Sequence, residues 1–153
     1  MSIVVDIQWA DDLSDGLYLP GEEQISQWAK ASLQHQVDQA ELSIRVVSDN
    51  EMQNLNQQFR GKANPTNVLS FPADLPEGLD VDLLGDIVIA ASVVAREAEE
   101  QCKPVESHWA HMVVHGCLHL LGFDHNNDAD ANEMEHLETE IMQQLNFENP
   151  YGG

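Results

Sequence analysis

Residues 115–125 read HGCLHLLGFDH, and the rest of the chain is organised around this stretch. On a helix of 3.6 residues per turn, His115 and His119 lie one above the other, roughly 6 Å apart along the axis, so both imidazoles can reach one metal ion. Gly122 can adopt the left-handed conformation that ends a helix, which lets the chain fold back and bring His125 to the same ion. Three histidine ligands with an open fourth position are typical of a catalytic zinc. The stretch therefore predicts one zinc ion per chain, held by His115, His119 and His125.

Two more histidines, His108 and His111, fall on the same face of the predicted helix. Residues eight apart on a helix are separated by roughly 12 Å, and zinc–nitrogen bonds are about 2 Å long, so one ion cannot bridge His111 and His119. Only the pair His115 and His119 has a third histidine just beyond a helix stop. We assign His108 and His111 to the surroundings of the metal ligands, to a substrate groove or to the surface.

The spacing of these histidines also resembles the metzincin protease motif H-E-x-x-H-x-x-G-x-x-H. The second histidine, the glycine and the third histidine match, but the glutamate position holds Gly116. In those enzymes this glutamate is the general base, so a metzincin-like metallopeptidase is disfavoured. Asp124 could replace the missing carboxylate, although a capping role in the turn is the simpler interpretation.

Length and composition limit the class of protein. A chain of 153 residues suits one domain with a sizeable core, so we predict a single metal-dependent hydrolase domain over residues 1–153. The amino terminus lacks the basic start and apolar run of a signal peptide, and no stretch approaches the length of a membrane span. We therefore expect a cytoplasmic protein without membrane contact. Cys102 and Cys117 are too few for a disulfide framework and are expected to remain thiols.

The net charge is strongly negative. The chain has 6 Lys and Arg against 27 Asp and Glu, a formal net charge of −21. Two of these scarce cations, Arg60 and Lys62, lie close together at the predicted end of a helix. Arg presents a planar fork of donors that suits phosphate oxygens, and Lys adds a point charge. Arg60 and Lys62 are therefore candidate substrate-binding residues, with stabilisation of a helix carboxyl end as the alternative.

The pattern of apolar residues predicts an α+β fold. Strands are expected at residues 3–9, 42–47, 68–71 and 83–90. Helices are expected at residues 91–102 and in the segments that follow residues 20, 48, 104 and 127. From residue 91 onward the chain is predicted to be helical, and residues 149–153 are expected to fray. The prediction is a small mixed sheet of about four strands packed with helices, with the zinc-site helix in the carboxyl-terminal helical part.

Three blocks of sequence resemble the YbeY family of bacterial endoribonucleases, also called rRNA maturation factors. They are residues 115–125, residues 55–72 and residues 84–87, and the order of elements agrees across nearly the whole chain. The resemblance implies a zinc-dependent, single-strand-specific endoribonuclease that acts in rRNA processing, at the 3′ end of 16S rRNA, and in ribosome quality control. It implies His115, His119 and His125 as zinc ligands, and Arg60 and His115 as catalytic residues.

On this interpretation a water or a ribose hydroxyl, activated at the metal site, attacks a phosphodiester that Arg60 holds. This chain departs from the family pattern at three positions: Asn64 and Asn67 stand where Asp is frequent, and Phe123 stands where Tyr is common. The expected partners are single-stranded and ribosomal RNA, the ribosome or its small-subunit proteins, and an assembly GTPase.

A competing prediction is a non-catalytic ribosome assembly factor that zinc stabilises. RNA affinity normally comes from cations that neutralise phosphates, and six cations in so acidic a chain leave only a local patch for that purpose. In this alternative a protein partner on the ribosome, or the GTPase, delivers the RNA.

Overall fold

The structure is a computed structural model that describes residues 2–13, 16–34, 36–60, 66–73, 83–123 and 127–151, with only the backbone of Ser2, Phe59 and Arg60. This part of the chain forms four strands and five helices. In chain order they are β1 (Ser2–Trp9), α1 (Glu22–Leu33), β2 (Gln39–Val47), α2 (Asp49–Arg60), β3 (Val68–Pro72), β4 (Leu83–Ala90), α3 (Ala91–Glu100), α4 (Val105–Leu120) and α5 (Asp128–Gln144).

The four strands form one mixed sheet in the order β1-β2-β4-β3. β1, β2 and β4 are parallel, and β3 pairs with β4 in the antiparallel direction. Parallel neighbours require a crossover, and α1 supplies it between β1 and β2. The α+β prediction, with a four-stranded mixed sheet and a helical carboxyl-terminal part, is confirmed.

Alternate side chains of β4 contribute to two separate cores. Ile87 and Ile89 are fully buried in the larger core, which also holds Trp28 of α1 and Trp109 of α4. Val88, on the opposite face, belongs to a smaller core with Val47, Met52, Leu69, Ala90 and Val93. The alternation follows from the two-residue period of a strand, and it explains why β4 is rich in β-branched residues on both faces.

Helix α4 is buried along most of its length, and two of its histidines remain partly exposed. From His108 to Leu120, every residue is buried except His115 and His119, which are half-buried. A helix that is apolar on nearly all sides is normally buried in the protein core. Partly exposed polar side chains on such a helix therefore indicate a functional site. No helix in the described ranges is long and apolar enough to cross a membrane.

The carboxyl end of α4 has the geometry that the sequence predicts. Gly122 has a φ of +104°, in the left-handed region. Its N–H donates to His119 O at 3.0 Å, and the N–H of Phe123 donates to Leu118 O at 3.1 Å. These two bonds define a Schellman motif with Gly122 at C′. The chain therefore turns sharply after α4; His125 itself lies outside the described residues.

Two boundaries differ from the predicted ones by more than one residue. β2 begins at Gln39 rather than at residue 42, because residues 39–41 also pair in register with β1, starting at Ser2 and Gln39. α3 ends at Glu100 rather than at residue 102, because Cys102 adopts a φ of +55°. The N–H groups of Cys102 and Lys103 then donate to the carbonyls of Glu99 and Ala98, at 3.2 and 2.9 Å.

Gly85 allows β3 to approach β4, and its replacement is expected to destabilise the fold. At φ +140°, a Cβ at this position would lie 2.2 Å from Phe71 O and 2.9 Å from Pro72 Cα. Because both neighbours are backbone atoms, neither can move without breaking the pairing of β3. We expect Gly85→Ala to lower the free energy of unfolding by at least about 2 kcal/mol. The measurement is urea unfolding, with the midpoint and slope compared.

Gly21→Ala is the matched control, because a Cβ there would meet only Gln24 Oε1 at 3.8 Å. Its unfolding midpoint should move much less than that of Gly85→Ala. Equal shifts in the two variants would show that the close approach of β3 to β4 does not require a glycine.

Candidate metal centre

Four histidines form a column along one side of α4. The ring centroids of His108 and His111 are 6.3 Å apart, those of His111 and His115 are 6.2 Å apart, and those of His115 and His119 are 4.5 Å apart. Spacings of three and four residues place successive side chains on one helical face. The column runs from the buried histidines to the half-buried pair, so the site opens at the carboxyl-terminal end of α4.

His115 and His119 face each other through the same ring nitrogen. Their Nε2 atoms are 3.1 Å apart. Two nitrogens bound to one tetrahedral zinc, with bonds of about 2.0–2.1 Å, lie roughly 3.3 Å apart. The separation of the two Nε2 atoms therefore fits a shared metal ion with little rearrangement.

This histidine pair lines an open cleft of about 800 Å³. One wall is the segment from Thr66 to Pro72, which includes β3, and the opposite wall is formed by His115, His119, Gly122 and Phe123. β3 is the edge strand of the sheet, so its outer side has no further strand among the described residues. A ligand in the cleft can thus lie between an exposed strand edge and the two imidazoles.

A buried carboxylate, Glu138 of α5, lies on the inner side of His115. Glu138 Oε1 accepts a hydrogen bond from His115 Nδ1 at 2.8 Å. Its Oε2 accepts from His111 Nε2 and from the Tyr151 hydroxyl. Burial alone would raise the pKa of Glu138, but the hydrogen bonds from His111 and His115 hold that pKa at about 2. Glu138 is therefore an ionised carboxylate in the interior.

His111, His115 and Glu138 together form a group that could bind a metal ion. One ligand atom from each lies within 4.8 Å of the other two. Among the described residues, these are the His, Cys, Asp or Glu side chains that come together in this way. The chain thus offers two arrangements around His115: its Nε2 faces His119, and its Nδ1 faces Glu138.

His108 anchors the wall of the cleft through Glu97. His108 Nε2 is 3.0 Å from Glu97 Oε1, and Asn67 Nδ2 donates to the same oxygen at 3.0 Å. Burial lowers the pKa of His108, although the carboxylate of Glu97 opposes that shift. Of the three roles left open from sequence, the structure shows His108 supporting Asn67, a residue of the cleft.

Gly116 is buried against the sheet and does not face the cleft. A Cβ at this position would lie 2.9 Å from Ile87 Cγ2 and 3.1 Å from Ile87 Cδ1. The carbonyl of Gly116 accepts a hydrogen bond from Ser70 Oγ of β3 at 3.3 Å, which joins α4 to the cleft wall. The metzincin position for a general base is therefore occupied by a residue that brings α4 close to β4.

The structure brings together some of the predicted site residues. The Nε2 atoms of His115 and His119 lie close together, as the helical spacing predicts. Arg60 is the last residue of α2. His125 and Lys62 lie outside the described residues, as does the side chain of Arg60. The roles predicted for these three residues stay predictions.

Sequence reasoning missed Glu138 and Tyr151. Glu138 shares a helical face with Met134 and Ile141, both buried, and a charged residue in phase with an apolar stripe was the signal that could have revealed it. Tyr151 lies in the segment expected to fray, yet its hydroxyl bonds Glu138. For residues 149–151 that expectation is wrong, because Lys103 Nζ donates to Pro150 O at 2.7 Å and Asn149 Oδ1 accepts from the N–H of Tyr151 at 2.8 Å.

Comparison with known proteins assigns the chain to a family. A family model described as "Endoribonuclease YbeY" matches residues 18–146. This chain belongs to the YbeY family. The chain is also similar to TM1509 from Thermotoga maritima, whose solution structure is known. Sequence identity is 25%, the TM-score is 0.64, and the match covers 93% of this chain and 89% of that chain. The family resemblance predicted from the three sequence blocks is confirmed, and the family description makes it a family of RNA-cleaving hydrolases.

Of the four Lys and Arg side chains that the structure of this YbeY-family protein describes, three contact groups outside the histidine cleft. Lys103 Nζ donates to Pro150 O at 2.7 Å. Arg45 forms two hydrogen bonds with Glu51, at 2.6 and 3.1 Å, and Arg96 contacts Asp49 at 3.5 Å. Lys30 lines a separate cleft of about 880 Å³, beside Asp6, Glu22 and Glu23, far in sequence from the histidines. None of the residues that line the histidine cleft in the described part of the chain is Lys or Arg.

Proposed function

We propose that this protein is a zinc-dependent endoribonuclease that cleaves single-stranded RNA in rRNA processing, including maturation of the 3′ end of 16S rRNA, and in ribosome quality control. The observation that carries the proposal is the pair of Nε2 atoms, 3.1 Å apart, at the wall of an open cleft in a member of an endoribonuclease family. A cytoplasmic location follows from the same proposal, because ribosomal RNA is the substrate.

The proposed zinc ligands are His115, His119 and His125, with one ion per chain. His125 is two residues beyond Phe123, and covalent geometry limits the distance between their Cα atoms to about 7 Å. Phe123 lines the cleft, and the Schellman turn directs the chain back at this point. When bound, zinc acts as a Lewis acid that polarises a phosphoryl oxygen and lowers the pKa of water.

Arg60 and Lys62 are the proposed phosphate-binding residues. Thr66 at the cleft wall lies six positions after Arg60, a distance of at most about 22 Å for an extended chain. A guanidinium can bind two phosphate oxygens at once and stabilise the charge that develops on them during cleavage. Asn67, held by Glu97, offers a further polar group on the same wall.

A second candidate is a non-catalytic ribosome assembly factor whose zinc is structural. The observation that favours it is the scarcity of cations: the chain carries a formal net charge of −21, and Arg45 and Arg96 are engaged with carboxylates. Under this candidate, small-subunit proteins or an assembly GTPase bring the RNA to the protein.

Removal of the metal separates the two candidates. Purified protein treated with a chelator is expected to lose cleavage of a single-stranded RNA and to regain it when zinc is added. The same RNA annealed to its complement is the substrate control, and it should be cleaved far more slowly. The measurement is the rate of product formation on a denaturing gel. Intact RNA with every metal tested would favour the assembly factor.

A further inference from the structure

We propose that Glu138 is the positioning residue of the metal site: its buried carboxylate sets the tautomer and orientation of His115, and Tyr151 and His111 hold that carboxylate in place. This inference rests on the proposed zinc ligands, but it adds a residue from another helix and a second from the carboxyl-terminal segment. Both are far from the histidine stretch in sequence.

The donor and acceptor properties of the groups fix the proton on His115. The carboxylate of Glu138 accepts from the Tyr151 hydroxyl at Oε2, and its Oε1 lies 2.8 Å from His115 Nδ1, so we assign His115 Nδ1 as the donor in this contact. In the neutral imidazole the other nitrogen, Nε2, then has its lone pair available. That nitrogen faces His119 Nε2 across the cleft wall. Glu138 therefore selects the form of His115 that can bind a metal ion at Nε2.

Glu138 is held on its other side by two donors. Its side chain is fully buried, and Oε2 accepts from both His111 and Tyr151. Burial and the hydrogen bond to Glu138 raise the pKa of Tyr151, so its hydroxyl keeps its proton and remains a donor. With both oxygens bonded, the carboxylate cannot rotate away from His115 without losing hydrogen bonds in a site that water does not reach.

The same contacts argue against Glu138 as a ligand of the proposed ion. Nδ1 and Nε2 point away from each other on the imidazole ring, so an ion bound at Nε2 lies on the side of His115 opposite to Glu138. The second carboxylate oxygen, Oε2, is bonded by His111 and Tyr151. Glu138 consequently acts on the ion through His115.

The carboxyl-terminal segment is part of this support. Tyr151 contacts Glu138 and His111, and its ring packs edge-on against His111 with centroids 5.3 Å apart. The preceding carbonyl of Pro150 accepts a hydrogen bond from Lys103, next to the start of α4. The end of the chain is thus tied to the helix whose histidines it supports.

The test is the zinc affinity of Glu138→Gln, measured by competition with a chromophoric chelator. Loss of a carboxylate that orients a histidine ligand weakens metal binding by about 10- to 100-fold, so we expect a shift of that size. One zinc per chain should still bind at saturating zinc. The matched control is Glu140→Gln on the same helix, since Glu140 is exposed and forms an ion pair with His136, which is also exposed. Its affinity should stay within about twofold of the wild type.

A second readout reports the tautomer directly. In metal-free wild-type protein, ¹⁵N NMR of the imidazole groups should find the proton of His115 on Nδ1, and Glu138→Gln should reduce that preference. A merely structural role for Glu138 would change stability and leave the tautomer as it was. A wild-type His115 with its proton on Nε2 would overturn the proposal.

The affinity experiment can also contradict it. Wild-type affinity in folded Glu138→Gln would exclude a positioning role, and a complete loss of zinc at saturation would make Glu138 a ligand instead. If Glu138→Gln does not fold, Tyr151→Phe replaces it, and we expect its zinc affinity to fall several-fold. An unchanged zinc affinity in Tyr151→Phe would contradict the role of the Tyr151 hydroxyl in holding Glu138. Failure of the proposed function shows separately, as zinc-loaded wild-type protein that leaves RNA intact.

Discussion

His119→Ala is expected to lose the zinc ion and, with it, RNA cleavage. The variant removes one of the two Nε2 atoms that lie 3.1 Å apart, so two of the three proposed ligands remain. We expect zinc content to fall from one ion per chain to near zero after dialysis against micromolar chelator. The rate of cleavage should drop by about 10³-fold or more, because the metal supplies several kcal/mol of transition-state stabilisation. Elemental analysis and a single-turnover assay measure the two effects.

His136→Ala is the control for this variant. His136 is a histidine of α5 whose side chain is 73% exposed, and its Nε2 lies 3.1 Å from Glu140 Oε1. Its zinc content and activity should equal those of the wild type. Full retention of zinc by His119→Ala would remove the proposed site. A loss of zinc in His111→Ala but not in His119→Ala would instead place the ion at the group of His111, His115 and Glu138.

Arg60→Ala is expected to slow cleavage strongly while leaving zinc content and fold unchanged. Arg60 is not among the proposed metal ligands, and it is the last residue of α2, whereas His115 and His119 belong to α4. Removal of one group that stabilises charge in a transition state costs about 10²–10³ in kcat, so turnover should fall by that factor. The measurement is cleavage of a single-stranded RNA at saturating protein, with zinc content and urea unfolding determined on the same sample.

Arg96→Ala serves as the matched control, because it removes an equal charge from a guanidinium that is 55% exposed and contacts Asp49 at 3.5 Å. Its activity should remain close to the wild-type value at constant ionic strength. Equal activity in Arg60→Ala and the wild type would exclude Arg60 from the reaction. Equal losses in both arginine variants would point to net charge alone.

The sequence by itself determined the parts of the fold and the site that depend on local periodicity. The spacing of His115 and His119 predicts that they share a helical face, and the structure places their Nε2 atoms together. Gly122 predicts the end of α4, because only a residue without Cβ adopts its φ at no steric cost. The β-branched residues of segment 83–90 likewise predict a strand, and β4 has these bounds in the structure. Each of these properties is set within about ten residues.

Tertiary structure alone decided which distant groups meet those residues. Glu138 follows His115 by 23 positions, and Ser70 precedes Gly116 by 46, so no local period relates either pair. Their contacts depend on how α5 and β3 pack against α4. The buried side chains of the two cores determine that packing. His108 and His111 show the same dependence: sequence left their roles open, and packing against Glu97 and Glu138 assigned them. Spacing along the chain identifies which nitrogens can share an ion, but the carboxylates that orient them are chosen by the packing of the helices.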